Sequence, residues 1–477
     1  MPKWSDTSKT SSRQSASEIL ASPPDHASNG KSGQPHEAAG DLLTAIFAWL
    51  EQEKISYALL RGYDELSQPG DKEVDLLVAA AHLPRLRELL QAAGCAALPA
   101  WGHAPHHFFL GYSPVAGEWL KLDVVTELRY GKPVRHLAVA LAQSCLQHRQ
   151  AQPPLYVLAP EDEFLTLVLH CLLDKAGFRE ARRRRLTALF DQIAGDEASR
   201  RRLERHVQNH LAPCLTWPQL SRAAATDDWQ ALLSARRLLA RQLWRKQPAA
   251  ALGRNLSTRL LRRLRFVLHA LRQPGLSVAL LAPDGAGKST LAAALQRDFG
   301  LRAELLYMGT NVQASTVGLP TTRWLHRRQK AARSAGLRLL LKPVGFVNRM
   351  LEQWYRFGYA HFQKWRGRIV VFDRFVYDAW VARPATTLRQ RMRRALLNLG
   401  WPTPDLIILL DAPGELLYRR KGEHSPAWLE QQRQGYLSLQ HSLPQMVVVE
   451  ASQPALVVQR AVTAIIWERY RKRHAKK

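Results

Sequence analysis

Residues 279–291 read "ALLAPDGAGKSTL", and this stretch decides the fold of the region around it. An apolar run stops abruptly and is followed by two glycines, a lysine and a serine. The run predicts a buried strand, and the adjoining "STLAAALQRDF" (289–299) predicts a helix. A strand, a glycine-rich turn and a helix in this order place backbone amides where they surround phosphate groups.

The loop between this strand and helix offers specific chemical groups. Gly285 and Gly287 allow a tight turn. Lys288 adds a positive charge, the Ser289 hydroxyl is a Mg²⁺ ligand, and the helix N-terminus adds free amides. Against the pattern GxxxxGK[ST], Ala282 replaces the first glycine, and its small size suits that position. The predicted phosphate-binding residues are Asp284, Gly285, Ala286, Gly287, Lys288, Ser289 and Thr290.

A second strand is expected to end in an acidic and a basic residue. The stretch "RIVVFDRFVYD" (368–378) predicts a buried strand that carries Asp373 to its C-terminal end, where open α/β sheets bind ligands. We expect Asp373 to hold Mg²⁺ or to take the acceptor's proton, and Arg374 to grip an acceptor phosphate. Alone, the pair is equally typical of a surface ion pair.

A third strand precedes a cluster of cations. The stretch "PDLIILLDAPGELLYRRKGE" (404–423) predicts a strand to Asp411 and then a helix bearing Arg419, Arg420 and Lys421. Arginines that close over a transferring phosphoryl group accelerate the reaction by about 10³–10⁵ when fully supplied. A solvated helix end is an equal alternative for this cluster.

These motifs give residues 276–470 a resemblance to the thymidylate kinase branch of the P-loop nucleoside monophosphate kinases. "DGAGKST", "FDRF", "PDLIILLDAPGELLYRRKGE", "RQGYLSL" and "VVVEASQPALVVQRAVTAII" occur in that family's order. The resemblance implies five parallel strands, ATP with Mg²⁺ as donor, and a lid that carries arginines. It also implies that Lys288, Ser289, Asp373 and Arg374 contact phosphate and metal.

The region after the second strand departs from that family. An Arg-Glu-Pro-Gly-Gly loop is usual there, whereas this chain has "LLYMGTNV" (305–312) and then a long basic region, 321–349. Tyr307, Gly309, Thr310 and Asn311 are candidates for the acceptor pocket, with a plain turn as the alternative. We therefore expect a small phosphorylated or hydroxyl-bearing acceptor, most simply a nucleoside monophosphate, and do not assign dTMP.

Carboxylates also cluster in the first half of the chain. In "LLRGYDELSQPGDKEVDLLV" (59–78), strand alternation places Glu73 and Asp75 on one face. Close carboxylates repel unless they share a cation, so they predict a divalent metal site, with Asp123 as third ligand. Exposed carboxylates on an edge strand are the alternative.

Residues 41–150 thereby resemble the polymerase β-type nucleotidyltransferase superfamily. Gly62-Tyr63 stands where Gly-Ser or Gly-Gly is usual, and Glu73 stands where Asp is commoner. These departures leave two alternatives open, an active enzyme and a retained fold without catalysis.

The predicted fold class is multidomain α/β, because short apolar strands alternate with long amphipathic segments in the second half. The predicted organisation is a disordered tail (1–40), a nucleotidyltransferase-like α+β domain (41–150), a helical bridge (151–272), a P-loop parallel-sheet domain (273–470) and a basic tail (471–477).

The net charge limits the classes of partner to be expected, and the cysteine content indicates the cellular compartment. The net charge of +28 favours polyanions, nucleotides or anionic lipid surfaces. Four cysteines without a CxxC pair predict reduced thiols in a cytoplasm. The arginine-rich helix 257–273 predicts interdomain packing or, alternatively, a membrane-surface or acidic-partner contact. Nucleic-acid binding is disfavoured because the basic stretch 323–341 contains one aromatic residue, Trp324.

Two functions follow from these observations. The leading prediction is an ATP·Mg²⁺-dependent phosphotransferase in which Lys288, Asp373, Arg374, Arg419 and Arg420 serve catalysis, fused to a nucleotidyltransferase-like domain. The alternative is a non-catalytic, ATP-binding regulatory protein at a nucleic-acid or membrane surface.

Overall fold

A computed structural model describes residues 42–475, with gaps at 64–65, 67–69, 100, 102–104, 133–134, 310–316, 332–334, 383–386, 389–391 and 393–402. The predicted tail at 1–40 lies outside the described residues. The chain divides into two compact units. We call residues 42–273 together with 470–475 the N-terminal unit, and Pro274–Arg469 the C-terminal unit.

The N-terminal unit contains a seven-stranded mixed sheet with the order β3-β4-β5-β2-β1-β9-β8, and β6 and β7 pair separately. Strand β2 pairs antiparallel with β1 and parallel with β5. The strands are β1 (Tyr57–Arg61), β2 (Lys72–Val78), β3 (Ala96–Ala97), β4 (His106–Ser113), β5 (Glu118–Val125), β6 (Leu128–Tyr130), β7 (Leu137–Val139), β8 (Gln150–Gln152) and β9 (Leu155–Val157).

Helices cover both faces of this sheet. Leu76 belongs to a core shared with the first two helices, and its neighbour Leu77 belongs to the core beneath the later helices. This division follows from the alternation of side chains along a strand. The helices are α1 (Leu42–Gln52), α2 (Leu83–Ala92), α3 (Ala142–Gln147), α4 (Pro160–Leu169), α5 (Glu180–Ala194), α6 (Glu197–His210), α7 (Trp217–Thr226), α8 (Arg236–Lys246), α9 (Pro248–Arg263) and α10 (Arg265–Arg272).

The structure differs from the predicted boundary between residues 150 and 151. Strand β9 lies beyond that boundary and pairs with β1 through Leu59 and Val157. Helices α4 to α10, predicted as a separate bridge, belong to the same compact unit as the sheet. The short apolar run in β9 was too weak a local signal to assign to a sheet formed mainly from residues far away in the chain.

Two adjacent carboxylates are buried at the start of α4. Glu161 and Asp162 are 0% and 1% exposed. The Arg202 Nε atom lies 2.5 Å from Glu161, whereas the nearest cationic group to Asp162 is His206, at 3.8 Å. Burial, with the nearby charge of Glu161, raises the pKa of Asp162 to about 7.

We expect Asp162→Asn to stabilise the protein at pH 8 relative to wild type, and to have little effect at pH 4. Between those values the folded wild type retains a proton that the unfolded chain has lost, so its stability falls as the pH rises. At pH 8 the free energy of unfolding of the variant should exceed that of wild type by about 3 kcal/mol. Chemical unfolding across this pH range measures it, with Glu180→Gln on exposed α5 as control. A pH-independent difference would contradict the prediction.

The C-terminal unit is built on a five-stranded, fully parallel sheet with the order β11-β12-β10-β13-β14. Its strands are β10 (Ser277–Leu281), β11 (Ala303–Tyr307), β12 (Ile369–Asp373), β13 (Leu406–Asp411) and β14 (Met446–Glu450). All carboxyl ends therefore meet at one edge, the usual ligand edge of an open α/β sheet. The prediction of a multidomain α/β protein is confirmed at this level.

Six helices in the described part of the C-terminal unit lie between its parallel strands in the chain, and a seventh, α17, follows the last strand and ends within residues 470–475 of the N-terminal unit. These helices are α11 (Lys288–Asp298), α12 (Pro320–Ala331), α13 (Ala335–Trp365), α14 (Val376–Ala382), α15 (Gly414–Lys421), α16 (Pro426–Ser438) and α17 (Ala455–Ala475). The predicted basic region 321–349 lies on α12 and α13. Within the described ranges, no helix combines the length and the apolar character needed to cross a membrane.

Candidate active site

The loop between β10 and α11 forms the centre of the site. Gly285 and Gly287 have φ angles of +89° and +84°, a region that glycine adopts without strain. A Cβ atom on Gly285 would lie 2.6 Å from the carbonyl oxygen of Leu417. Glycine is thus required at position 285 both by its φ angle and by the close approach of α15.

Lys288 is the first residue of α11, and it is 8% exposed. Its ammonium group forms no ion pair with any residue that the structure describes. A largely buried cation without a carboxylate partner favours binding of an anion beside it. Ser289 and Thr290 follow in the first turn of the same helix, where backbone amides have no helical acceptor.

The Asp373–Arg374 corner lies beside this loop. Strand β12 pairs with β10 so that Asp373 is in register with Leu280. The Arg374 guanidinium donates to Asp284 of the loop over 3.2 Å. Burial lowers the pKa of Arg374, but the carboxylates of Asp284 and Asp378 more than offset it and raise that pKa. The structure thus brings together the two motifs that the sequence analysis combined.

Two local features of this corner are typical of a ligand-binding site. The Asp373 Oδ1 atom is buried and has no hydrogen-bond partner among the described residues. Arg374 has a φ angle of +64°, which is costly for a residue with a side chain. An orphaned carboxylate oxygen at the ligand edge fits a Mg²⁺ ion or its water, because Mg²⁺ takes oxygen ligands. Backbone strain is typical of functional sites.

The predicted arginine cluster on α15 separates into different environments. Arg420 donates to the carbonyl oxygen of Ala451 over 2.7 Å and lines a cavity of about 450 Å³ beside the loop. Lys421 lies 3.8 Å from Asp284. Arg419 is not brought to the loop: its exposed guanidinium pairs with Glu415, one turn earlier.

The cavity beside the loop is bounded by two segments of the C-terminal unit. Gly285, Gly287 and Thr290 form one side, and Ser452, Pro454 and Val458 form part of the other. Arg420 lines the same cavity, together with these small and apolar groups. A flat, partly apolar ligand part would therefore stack on the arginine while a linked phosphate chain reaches the loop.

Asp411 forms an ion pair with an arginine that the sequence analysis did not identify. Arg433 on α16 binds both oxygens of Asp411, at 2.6 and 2.9 Å, and also binds Glu430 at 2.8 Å. The hydrogen bonds that Arg433 donates to Asp411 raise the pKa of Arg433. The bidentate contact fixes α16 at the ligand edge of the sheet. The 22-residue separation of the pair gives no local sequence signal.

A second missed pair lies on the acceptor side of the corner. The Tyr436 hydroxyl donates to Asp378 over 2.7 Å, and the second oxygen of Asp378 accepts from the Phe375 amide over 2.8 Å. Burial, followed by the charge of Asp378, raises the pKa of Tyr436. Asp378 thus holds the turn after β12 and supports the position of Arg374.

The loop after β11 is fixed by a buried ion pair on α13. Arg356 pairs with Glu352 at 2.7 Å, and both are nearly inaccessible to solvent. Arg356 also donates to the carbonyl oxygen of Gly309 over 3.2 Å. Tyr307 and Gly309 are therefore held at this edge, whereas the candidates Thr310 and Asn311 lie outside the described residues.

One further set of potential metal ligands lies near the loop. Asp284, Glu423 and His424 present ligand atoms within 4.8 Å of one another, the one such group of three found in the described part of the chain. Glu423 and His424 are exposed, and Asp284 also binds Arg374. This group is distinct from the predicted Mg²⁺ ligands Ser289 and Asp373.

The three carboxylates of the N-terminal unit lie on adjacent parallel strands, with Asp75 in register with Asp123. Each has a basic side chain of the chain itself as a partner. The pairs are Arg61–Asp75 at 2.6 Å, Lys121–Glu73 at 2.6 Å and His106–Asp123 at 2.8 Å. A metal ion bound by all three carboxylates would have to displace these partners. The charges of Arg61 and Lys121 already offset part of the repulsion on which the prediction rested.

Comparison with known proteins gives no family. No model of a protein family matches the chain, and no curated protein sequence matches it.

Proposed function

We propose that the C-terminal unit is a P-loop phosphotransferase that moves the γ-phosphoryl group of ATP·Mg²⁺ to a small acceptor. The observation that carries this proposal is the 3.2 Å contact between Arg374 and Asp284, which joins the glycine loop to the Asp373–Arg374 corner. Phosphoryl transfer depends chiefly on positioning and on charge neutralisation. The two motifs offer both at the ligand edge of one sheet.

Each residue of the site has a defined role in this proposal. The loop amides and Lys288 bind the β- and γ-phosphates, and Ser289 and Asp373 hold the magnesium ion. When bound, Mg²⁺ neutralises charge that develops on the phosphate oxygens. An acceptor oxygen attacks the γ-phosphorus, and the bond to the bridging oxygen of ADP breaks. With a nucleoside monophosphate as acceptor, the attacking phosphate oxygen is already ionised and no proton has to be removed. Arg374 orients the acceptor.

The cavity beside Arg420 suits the nucleoside part of ATP. Its position next to Gly285 and Thr290 lets a phosphate chain run from it into the loop. Arg420 is held by the carbonyl oxygens of Ala451 and Ser452, so its guanidinium plane is fixed for stacking on a base. Arg419 keeps its predicted role only if its exposed side chain leaves Glu415.

The proposal assigns no transferase activity to the N-terminal unit. Asp75 and Glu73 form ion pairs with Arg61 and Lys121, and Asp123 bonds to His106, which favours a retained nucleotidyltransferase-like fold over two-metal catalysis. The acceptor remains defined by class, a small phosphorylated or hydroxyl-bearing molecule. A nucleoside monophosphate is the simplest member of that class.

The experiment that tests this function is steady-state ADP formation from ATP with a panel of nucleoside monophosphates. We expect one acceptor to stimulate ADP formation, and Asp373→Asn to lower the stimulated rate about 10²-fold. Asn keeps the shape of Asp but lacks the charge that holds Mg²⁺. Glu180→Gln, at an exposed position on α5 of the N-terminal unit, serves as the control and should be unaffected.

The same measurements distinguish the regulatory alternative. Calorimetric binding of ATP·Mg²⁺ without acceptor-stimulated turnover would favour a non-catalytic nucleotide sensor. Absence of ATP binding to the folded wild type would refute both functions.

A further inference from the structure

An apolar row runs along the outer side of α9 and α10. Leu252, Leu256 and Leu260 are 54%, 59% and 57% exposed, and Leu264 and Val267 continue the row at 42% and 44%. Spacings of four, four, four and three residues keep these side chains on one helical face. Amide hydrogen bonds Leu264→Leu260 and Leu268→Leu264 carry the helix through the junction. The row is therefore continuous.

The opposite side of the same segment supplies its contacts with the N-terminal unit. Ala251 on α9 and His269 on α10 are buried. Arg254 donates to the carbonyl oxygen of His136. The segment is thus anchored by its inner face, and the leucine row is not needed for that anchoring.

The charge of this segment is entirely positive. Residues 248–272 contain six arginines and no acidic residue. Arg259, Arg263 and Arg265 form no ion pair with a residue in the described ranges. By contrast, exposed Arg184 on α5 and Arg201 on α6 pair with glutamates one turn away. At Arg259, Arg263 and Arg265 the positive charge is therefore available to an anionic partner.

We propose that the outer face of α9 and α10 binds an anionic lipid surface. An amphipathic helix with leucines on one side and arginines beside them lies in the interface, with its apolar side chains at the headgroup–acyl boundary. The arginines then contact lipid phosphates. A nucleic acid would satisfy the arginines but not the leucines, because binding to single strands relies on stacking aromatic residues, and Phe266 is the one aromatic residue here.

The test is flotation of the full-length protein with vesicles. We expect binding to phosphatidylcholine vesicles that contain phosphatidylglycerol, weaker binding to phosphatidylcholine alone, and loss of the difference at high salt. A triple variant, Leu252→Ser with Leu256→Ser and Leu260→Ser, should lose binding. Leu238→Ser changes a leucine that is equally exposed, at 56%, on α8, and should bind normally.

Removing single arginine charges should weaken vesicle binding in steps that can be measured. Arg259→Gln and Arg263→Gln should each lower partitioning roughly five-fold, because one arginine near an anionic surface contributes about 1 kcal/mol. Arg201→Gln, on exposed α6, is the matched control. Circular dichroism checks that every variant is folded.

Several results would overturn the lipid proposal. These are equal binding by the leucine variant and wild type, no binding of wild type to either vesicle, or binding to a DNA duplex without vesicle binding. ATP binding measured on the same variants keeps this inference separate from the phosphotransferase proposal, since the outer face contains no residue of that site.

Discussion

Lys288→Met is expected to lower acceptor-stimulated ADP formation on the order of 10³-fold, with the fold retained. Lys288 is 8% exposed, and its ammonium has no anionic partner in the described structure, so a phosphate group is its natural counterion. Methionine preserves much of the aliphatic length and removes only the charge. Loss of that charge in a site shielded from water removes transition-state stabilisation that solvent cannot replace.

The control for this prediction lies on the same helix. Arg297→Met deletes a positive charge near the end of α11, where the side chain is 76% exposed. Solvent screens that charge, so the rate should stay within about two-fold of wild type. A rate for Lys288→Met within ten-fold of wild type, with ATP binding unchanged, would refute the assigned role of the lysine.

The elements of the C-terminal unit were predictable because their signals are local. The apolar runs that became β10, β12, β13 and β14 are short and rich in branched residues, and the last three end at an acidic residue. The glycine loop was equally visible, since its left-handed positions require glycine. Such features can be predicted from residues that are neighbours in the sequence.

Partners of charged side chains were not predictable in the same way. Arg433 reaches Asp411, and His106 reaches Asp123, through the register of strands and the placement of a helix. The sequence analysis identified Glu73, Asp75 and Asp123 as close carboxylates, but it had no means of assigning their cations. Whether such a cluster attracts metal ions depends on those partners, and therefore on tertiary structure.

The same distinction explains the arginines near the glycine loop. The sequence alone gives no reason to distinguish Arg419 from its neighbour Arg420. Adjacent residues on a helix point about 100° apart, so only one can face the loop while the other faces solvent. The structure selects Arg420 for the cavity and leaves Arg419 paired with Glu415.

Gly275→Ala should destabilise the C-terminal unit by about 3 kcal/mol or more, because the new Cβ atom cannot be accommodated. It would lie 1.7 Å from the carbonyl oxygen of Arg368, and backbone cannot move aside as a flexible side chain can. Gly275 precedes β10 and donates to the carbonyl oxygen of Lys364 over 2.8 Å. Strand β10 would have to separate from β12, which carries Asp373.

Gly358→Ala on α13 is the matched control, since no atom lies within 4 Å of its added Cβ. Alanine should stabilise this helix by about 0.5–1 kcal/mol, through helix propensity and a less flexible unfolded chain. Hydrogen exchange at the β10 amides reports on the unit containing the loop, and separates its opening from unfolding of the N-terminal unit. Equal protection in the two variants would show that β10 and β12 do not pack as closely as the structure requires.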